Sequence, residues 1–346
     1  METYVVPQFT ASFENGRAAS QTWGALELVR FGQNPGASNF QLGTRVDWLG
    51  ARVRPYGRAN LRQTAANPGI TEVSEVGRKS TRIERSLTSG IDVRLGRAVG
   101  LSGRAEQIHT DWDADAVYRG SSLREKLNRD DRMFAMSMDL FLTPVSAIRV
   151  SGSTMSSRFE FSPERNANNT EWTAGLVFRA PAAVVGSLRA GVREVRPLRT
   201  EGSPFRGTVW EGTLVHQLRN GGFLFMNLAR NVQYTAEPGV DYVLAQTFGL
   251  RAAIPLASRW MVGAWWVKDS LEYLAGTSAG TPEGGRSSLA AASVGYRPAQ
   301  PLTVGMTVER QVYRGAQDWN AWRAVTFLMF GRGPFQRLDR PLPFER

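Results

Sequence analysis

Four arginines lie two to four residues apart along one short run: Arg52, Arg54, Arg58 and Arg62, with Asn60 in the same phase and Val53, Ala59 and Leu61 in the other. A guanidinium is planar, stays charged, and grips carboxylate or phosphate through paired hydrogen bonds. On an extended strand, alternate side chains share a face, so even spacing stacks these four into one column. Arg45, Arg94, Arg104, Arg149, Arg179, Arg189, Arg193 and Arg251 are flanked by apolar neighbours and fall in the same polar phase. Asp47, Asp92, Glu106, Asp139, Glu171, Glu211 and Glu309 share it. Such a wall can do one of two things. Arginines and acids can pair across strands and hold a wet surface in shape, or the excess of arginine can leave a positive field that concentrates anionic solutes. The Arg52 to Arg62 column has no interleaved acid and favours the second reading most.

The excess is real, because the net charge of +11 is carried almost wholly by arginine, Lys79, Lys126 and Lys268 being the only lysines. The arginines are spread along the chain rather than clustered on one element or tail, so a nucleic-acid partner is not expected. Catalytic chemistry has little to work with. The chain has 2 histidines, His109 and His216, on separate expected strands, and no cysteine. No phosphate-binding loop or dinucleotide fingerprint occurs. We therefore expect no catalytic set, no metal and no cofactor, although a serine or carboxylate site gathered from several strands stays open as an alternative. Asn168-Asn169-Thr170 fits a glycosylation acceptor in form only.

The elements that hold the wall alternate apolar and polar residues. In Leu302-Thr303-Val304-Gly305-Met306-Thr307-Val308-Glu309 the apolar set falls on one face and the polar set on the other, which is the period of a strand with one apolar face. Phe134, Met136, Met138, Leu140 and Leu142 repeat it, as do Trp172, Ala174, Leu176 and Phe178. These runs are about twice the ordinary length of a globular strand. With 35 glycines and 42% hydrophobic residues the chain holds no spanning helix, whereas a membrane barrel needs only every second residue to be apolar.

Connections alternate between tight and long. The tight ones are 96–100, 144–146, 181–183, 219–222, 255–258 and 298–301; the long ones are 67–80, 111–130, 162–169, 197–204, 236–240, 276–285 and 315–318. Short periplasmic turns and long external loops are the habit of outer-membrane barrels. A propeller would pack four short strands into each interval of this size, and here there are two long ones. Aromatic residues near the ends of the runs, such as Trp48, Phe134, Phe159, Trp172, Tyr234, Tyr242, Trp260 and Trp322, suit the two girdles at the headgroup level. The runs predict an up-and-down antiparallel transmembrane β-barrel of 16 strands, or 18, with Thr22 to Phe31 either a further strand or part of a loop. One barrel domain is expected over 1–331, with a proline-bearing periplasmic tail over 332–346. No signal peptide is visible at the N-terminus.

Arg132-Met133-Phe134-Ala135-Met136-Ser137-Met138-Asp139, Pro144-Val145-Ser146-Ala147, Thr208-Val209-Trp210-Glu211-Gly212 and Asn231-Val232-Gln233-Tyr234 resemble the β-barrel porin family encoded beside bacterial exopolysaccharide genes. Val240-Asp241-Tyr242 leading into Phe248-Gly249-Leu250 does too. The likeness covers the last two thirds of the chain and lies in hairpin style rather than in an invariant motif. It implies an outer-membrane barrel that assists export of a polysaccharide. The expected role is thus a monomeric pore in outer-membrane lipid for an anionic or sugar-rich solute, with a polysaccharide and periplasmic export proteins as partners. The alternatives are a barrel enzyme acting on lipid or polysaccharide, and a structural or adhesive β protein.

Overall fold

The alternating runs form strands throughout the computed structural model, which describes residues 2–5, 7–31, 34–65, 80–118, 120–199, 204–237, 240–274, 284–299, 302–315 and 318–330. The tail 332–346 and residues 67–79 and 276–283 of two long loops lie outside them. The N-terminal strands are β1 (Glu2–Val5), β2 (Gln8–Glu14), β3 (Ala18–Phe31), β4 (Asn34–Trp48), β5 (Val53–Ala65), β6 (Thr81–Leu95) and β7 (Val99–Trp112). A small ladder, β8 (Val117–Tyr118) with β9 (Ser121–Ser122), precedes the helix α1 (Leu123–Leu127). Then come β10 (Arg129–Thr143), β11 (Ser146–Phe159), β12 (Ala167–Phe178), β13 (Val184–Pro197), β14 (Phe205–Gln217) and β15 (Phe223–Tyr234). The last are β16 (Tyr242–Pro255), β17 (Trp260–Tyr273), β18 (Arg286–Ala299), β19 (Leu302–Arg314) and β20 (Trp319–Phe330).

Except for β8 and β9, all belong to one 18-stranded sheet, the larger of the two counts expected. Each long strand pairs antiparallel with the next, and β7 joins β10 across the α1 loop. β1 and β2 pair end to end along one edge of β3, so the 18 strands of the sheet take 17 places in the wall. The break falls at Pro7, which has no amide hydrogen to give. Thr22 to Phe31 is a strand, part of β3.

The burial of the two faces is inverted relative to a soluble protein. On β10, Phe134, Met136 and Leu142 are 51%, 61% and 61% exposed, while Asp131 and Asp139 on the other face are 5% and 7% exposed. Leu87, Ile91, Leu101, Leu176, Leu250 and Met306 are exposed in the same way, and Thr88, Thr173, Thr303 and Thr307 are buried. Apolar side chains outside and polar ones inside describe a barrel whose surroundings are hydrocarbon. From Phe134 to Leu142 the strand advances about 26 Å at ~3.3 Å per residue, or about 20 Å after a tilt of about 40°, close to the apolar band of such barrels. Beyond Phe134 the outward positions turn polar, with Arg132 and Asp130 on β10 beside His109 and Asp111 on β7.

The described short turns, at 96–98, 144–145 and 219–221, lie at one end of the barrel. At the other end are the longer connections that carry α1 and a single 3-10 turn, Pro163–Arg165. In the 96–98 turn Gly96 has φ +72°, a conformation a side chain would strain. α1 is short but locally specified. Ser122 caps it by accepting from the Glu125 amide at 3.3 Å, and Leu123 and Leu127 share one buried face four residues apart.

Candidate functional site

Cross-strand register decides which side chains share the inner wall. Arg45 is opposite Arg58, Arg58 opposite Thr88, Thr88 opposite Glu106, and Glu106 opposite Met133. Nearer the short turns, Asp139 is opposite Arg149, then come Gly175, Arg189 and Glu211 in turn. Directly opposed residues lie on one face, and since Thr88 and Asp139 are buried, that face is the interior. The twelve arginines singled out in the sequence all fall in this phase, Arg52 and Arg179 lying just beyond the ends of their strands.

Their partners divide them. Arg45 grips Asp47 at 2.6 Å, Arg104 stands 3.9 Å from Glu106, Arg193 stands 3.4 Å from Glu171 and also donates to Asn231, and Arg189 holds Glu211. Arg149 donates twice to Asp139, at 2.6 and 2.9 Å, and Arg179 reaches the same carboxylate at 2.5 Å. The others rest on different groups. Arg54 donates to the Gly50 carbonyl and Arg58 to the Asn60 side chain. Arg94 lies over the Phe141 ring at 4.8 Å and Arg251 over Trp265 at 5.6 Å. Arg52 offers its carbonyl to the Arg94 amide. Arg62 is half-buried, opposite Gln41 and Glu84. Acids also stand beside the column, because β6 brings Asp92 opposite Arg54 and Glu84 opposite Arg62.

Inward aromatic rings support several of these guanidinium groups. Trp23 lies across Gly43, where an added Cβ would stand 2.3 Å from the indole, and carries Arg58 at 5.2 Å. Tyr56 lies across Gly90 and carries Arg45 at 5.0 Å. A cation held over a ring keeps its charge unneutralised while its position is fixed. The sequence signal for this arrangement is a polar-phase glycine facing an aromatic residue on the neighbouring strand. We expect Gly43→Val to displace Trp23 and cost about 1–3 kcal/mol by overpacking, read as a lower temperature of barrel unfolding in detergent.

At the long-loop end the interior is crossed by the chain itself. Tyr234 of β15 packs edge-on against Phe159 of β11 at 4.8 Å, and Arg129 of β10 lies over the Tyr234 ring at 5.1 Å. These strands are not neighbours in the sheet, so the contacts pass through the inside. Phe159, Tyr234 and Tyr242 therefore line the interior rather than a lipid girdle, whereas Trp48, Phe134, Trp172, Trp260 and Trp322 are exposed outside. Three connections meet over this point: the α1 segment, residues 160–166, and residues 235–237 with 240–241. The Arg165 side chain, 4% exposed, ties them together. It donates to the carbonyls of Lys126 at 2.7 Å, Thr235 at 2.6 Å and Asp241 at 2.9 Å, and its ring partner is Phe159 at 5.3 Å. Ser162 adds a bond to the Glu125 carbonyl at 2.7 Å. Burial lowers the Arg165 pKa, the Asp241 carboxylate opposing the shift. Under this lid lies a cavity of about 260 Å³ bordered by Arg82, Trp112, Asp131, Asn169, Gln233 and Tyr234 among others.

The two histidines are far from one another and outside the wall. His109, near the long-loop end of β7, stands 2.9 Å from Asp130 and 3.0 Å from Asp111. His216, at the short-turn end of β14, meets the Ala183 carbonyl at 2.9 Å. Among the described residues, no group of three or more histidines, aspartates or glutamates is placed to hold a metal ion.

No protein-family model and no curated protein sequence matches the chain. Solved structures do. The copper transporter OprC superposes with a TM-score of 0.50 at 10% identity, over 93% of this chain and 63% of that one. The fold is that of a bacterial outer-membrane β-barrel. The siderophore receptor PirA from Acinetobacter baumannii gives 0.46 at 8% identity over 94% and 70%. FpvA from P. aeruginosa gives 0.47 at 8% over 90% and 54%. The chain spans about 54 to 70% of the length of these three structures.

Proposed function

We propose that this barrel is an outer-membrane passage for an anionic or sugar-rich solute, acting as a monomer in outer-membrane lipid. One observation carries the reading: Arg54, Arg58 and Arg94 stand on the inner wall held by a carbonyl, an amide and an aromatic ring, and so keep their charge for the lumen. Fixed positive charge in a narrow wet conduit surrounded by low dielectric raises the local concentration of anions. The transport step then needs only weak contacts repeated along the wall. The OprC-like fold supports a transport role; the exopolysaccharide as cargo, with periplasmic export proteins as partners, rests on the hairpin resemblance alone. We propose that assignment as the finer form of the reading.

The test is ion selectivity in a planar bilayer under a salt gradient. Arg54→Glu together with Arg58→Glu reverses two wall charges without touching a buried pair, and is expected to move the reversal potential toward cation preference while the barrel still assembles. An unchanged reversal potential in a conducting, folded double variant would assign these arginines to wall structure. A barrel that carries no current even with its lid loosened would sink the open-passage reading.

A further inference from the structure

On the outer face of β17, β18 and β19 the even-numbered residues Trp260, Trp266, Val294, Val304 and Met306 are 46%, 40%, 40%, 42% and 42% exposed. The same phase continues toward the long-loop end as Lys268 on β17, Arg286 on β18, and Arg310 and Arg314 on β19, and all four are exposed. From Trp260, near the short-turn end, to Lys268 the strand advances about 26 Å at ~3.3 Å per residue, or about 20 Å after a tilt of about 40°. The cations begin where the apolar band stops. Long connections mark the external side of such barrels, so this is the level of the outer-leaflet headgroups.

Register gathers the four. Arg286 is directly opposite Arg314, Lys268 is opposite Ser288, the next outward residue of β18, and Arg310 is opposite Ala290. They occupy three adjacent strands, in a patch about 10 Å wide and about 13 Å long. Arg310 is held in place: it lies over the Trp322 ring at 5.6 Å and its Nε donates to Asn320 at 3.5 Å. No described carboxylate pairs with Lys268, Arg286 or Arg314. Glu272 stands farther out on β17, and Asp318 accepts from the Gly315 amide at 3.0 Å. Glu309 and Asp269 face the interior, on Arg323 and Thr247. The flank from β6 to β14 is different, because its outward cations stand beside acids. Arg85 is 3.7 Å from Asp111, Arg196 is 2.8 Å from Glu194, and Arg206 is opposite Glu194.

Like charges directly opposite on one sheet face repel, so Arg286 and Arg314 work against each other until an anion stands between them. Guanidinium groups match phosphate through paired hydrogen bonds, and a phosphate monoester carries enough charge to meet several cations at once. Trp266 and the 68% exposed Trp322 lie below in the same outward phase. A partner that meets both the cations and the rings carries its phosphate above hydrocarbon chains. We infer that Lys268, Arg286, Arg310 and Arg314 form an external clamp for the phosphate of an outer-leaflet lipid. The clamp depends on the barrel's place in the membrane and not on what the lumen carries.

The full chain in nonionic detergent is titrated with diphosphoryl lipid A, with the same lipid stripped of its phosphates, and with inorganic phosphate. Retained lipid is counted by native mass spectrometry, and the unfolding temperature is recorded alongside. Lipid A is expected to bind saturably and raise the unfolding temperature; the stripped lipid and inorganic phosphate are expected to do neither. Arg286→Gln together with Arg314→Gln is expected to weaken lipid A binding about thirtyfold, each cation at a lipid surface contributing roughly fivefold. Without lipid this variant is expected to unfold no lower than wild type, since a repulsion has gone, so its weaker binding is not a failure to fold. Arg132→Gln together with Arg196→Gln removes the same charge from outward positions on β10 and β13 and is expected to leave the affinity unchanged. Equal loss in both double variants would reduce the patch to general positive charge, and unchanged affinity in the first would remove the clamp. Saturation by inorganic phosphate would make it a site for a soluble anion. Each of these three results would overturn the proposal.

Discussion

Arg165→Ala is expected to raise the unitary conductance of the barrel and to strip hydrogen-exchange protection from α1 and from residues 235–237 and 240–241, without unfolding the wall. The guanidinium donates to three carbonyls from two other connections, and at 4% exposure no water stands ready to replace it. Leaving those carbonyls without a donor costs about 1–3 kcal/mol each. That sum is comparable with the stability of a small local unit, whereas the strands are held by continuous backbone ladders that the substitution does not touch. The lid should therefore open by itself. Arg165→Lys is a sharper variant. An ammonium lacks the planar fork that reaches three carbonyls at once, and the burial that already works against the Arg165 charge acts on a group that loses its proton more easily. We expect it to fall between the wild type and alanine. A conductance equal to wild type with protection retained would show that Arg165 does not hold the lid.

That lid was the part of the molecule least open to sequence reading. The bonds that make it join Arg165 to residues 39, 70 and 76 positions away, and nothing in the composition of three polar loops says that they meet. Phe159, Tyr234 and Tyr242 look like girdle residues because they stand near strand ends, where girdle aromatics also stand. Only the cross-barrel contact of Tyr234 with Phe159, and the burial of Tyr242 in one cluster with Ala167 and Val195, separate the two roles. The wall was legible for the opposite reason. Period two is imposed by the backbone at every residue, and lipid on one side and water on the other write it into composition over a dozen residues at a time. Strand β3 blurred where Gly24 and Ala25 offer no contrast between faces. The Arg52 to Arg62 column was visible on its own strand, but Asp92 and Glu84 reach it through the register of β6, which turn lengths do not specify to the residue.

Register also explains why one acid should matter more than any other on the wall. Asp139 is 7% exposed and takes three bonds from two arginines, Arg149 on β11 and Arg179 just past β12. Arg179 and Arg94 lie at 4.8 Å from the Phe141 ring, so Asp139, with Asp92 of β6 in electrostatic reach of Arg149, answers a group of three cations near the short turns. Asp139→Asn keeps the shape and removes the charge. Breaking a fully buried pair costs about 3–5 kcal/mol; Arg149 and Arg179 are 40% and 39% exposed, and solvent screening reduces the expected loss to about 2 kcal/mol. The loss should shrink in 1 M salt, where the screening length is about 3 Å. The uncompensated cations should at the same time shift the reversal potential toward anions, opposite in sign to the Arg54→Glu and Arg58→Glu pair. Thermal unfolding at two salt concentrations and selectivity in a bilayer check the two halves separately. Stability lost with selectivity unchanged would make Asp139 a brace between strands, and the field of the lumen would then have to come from the arginines that rest on rings and carbonyls alone.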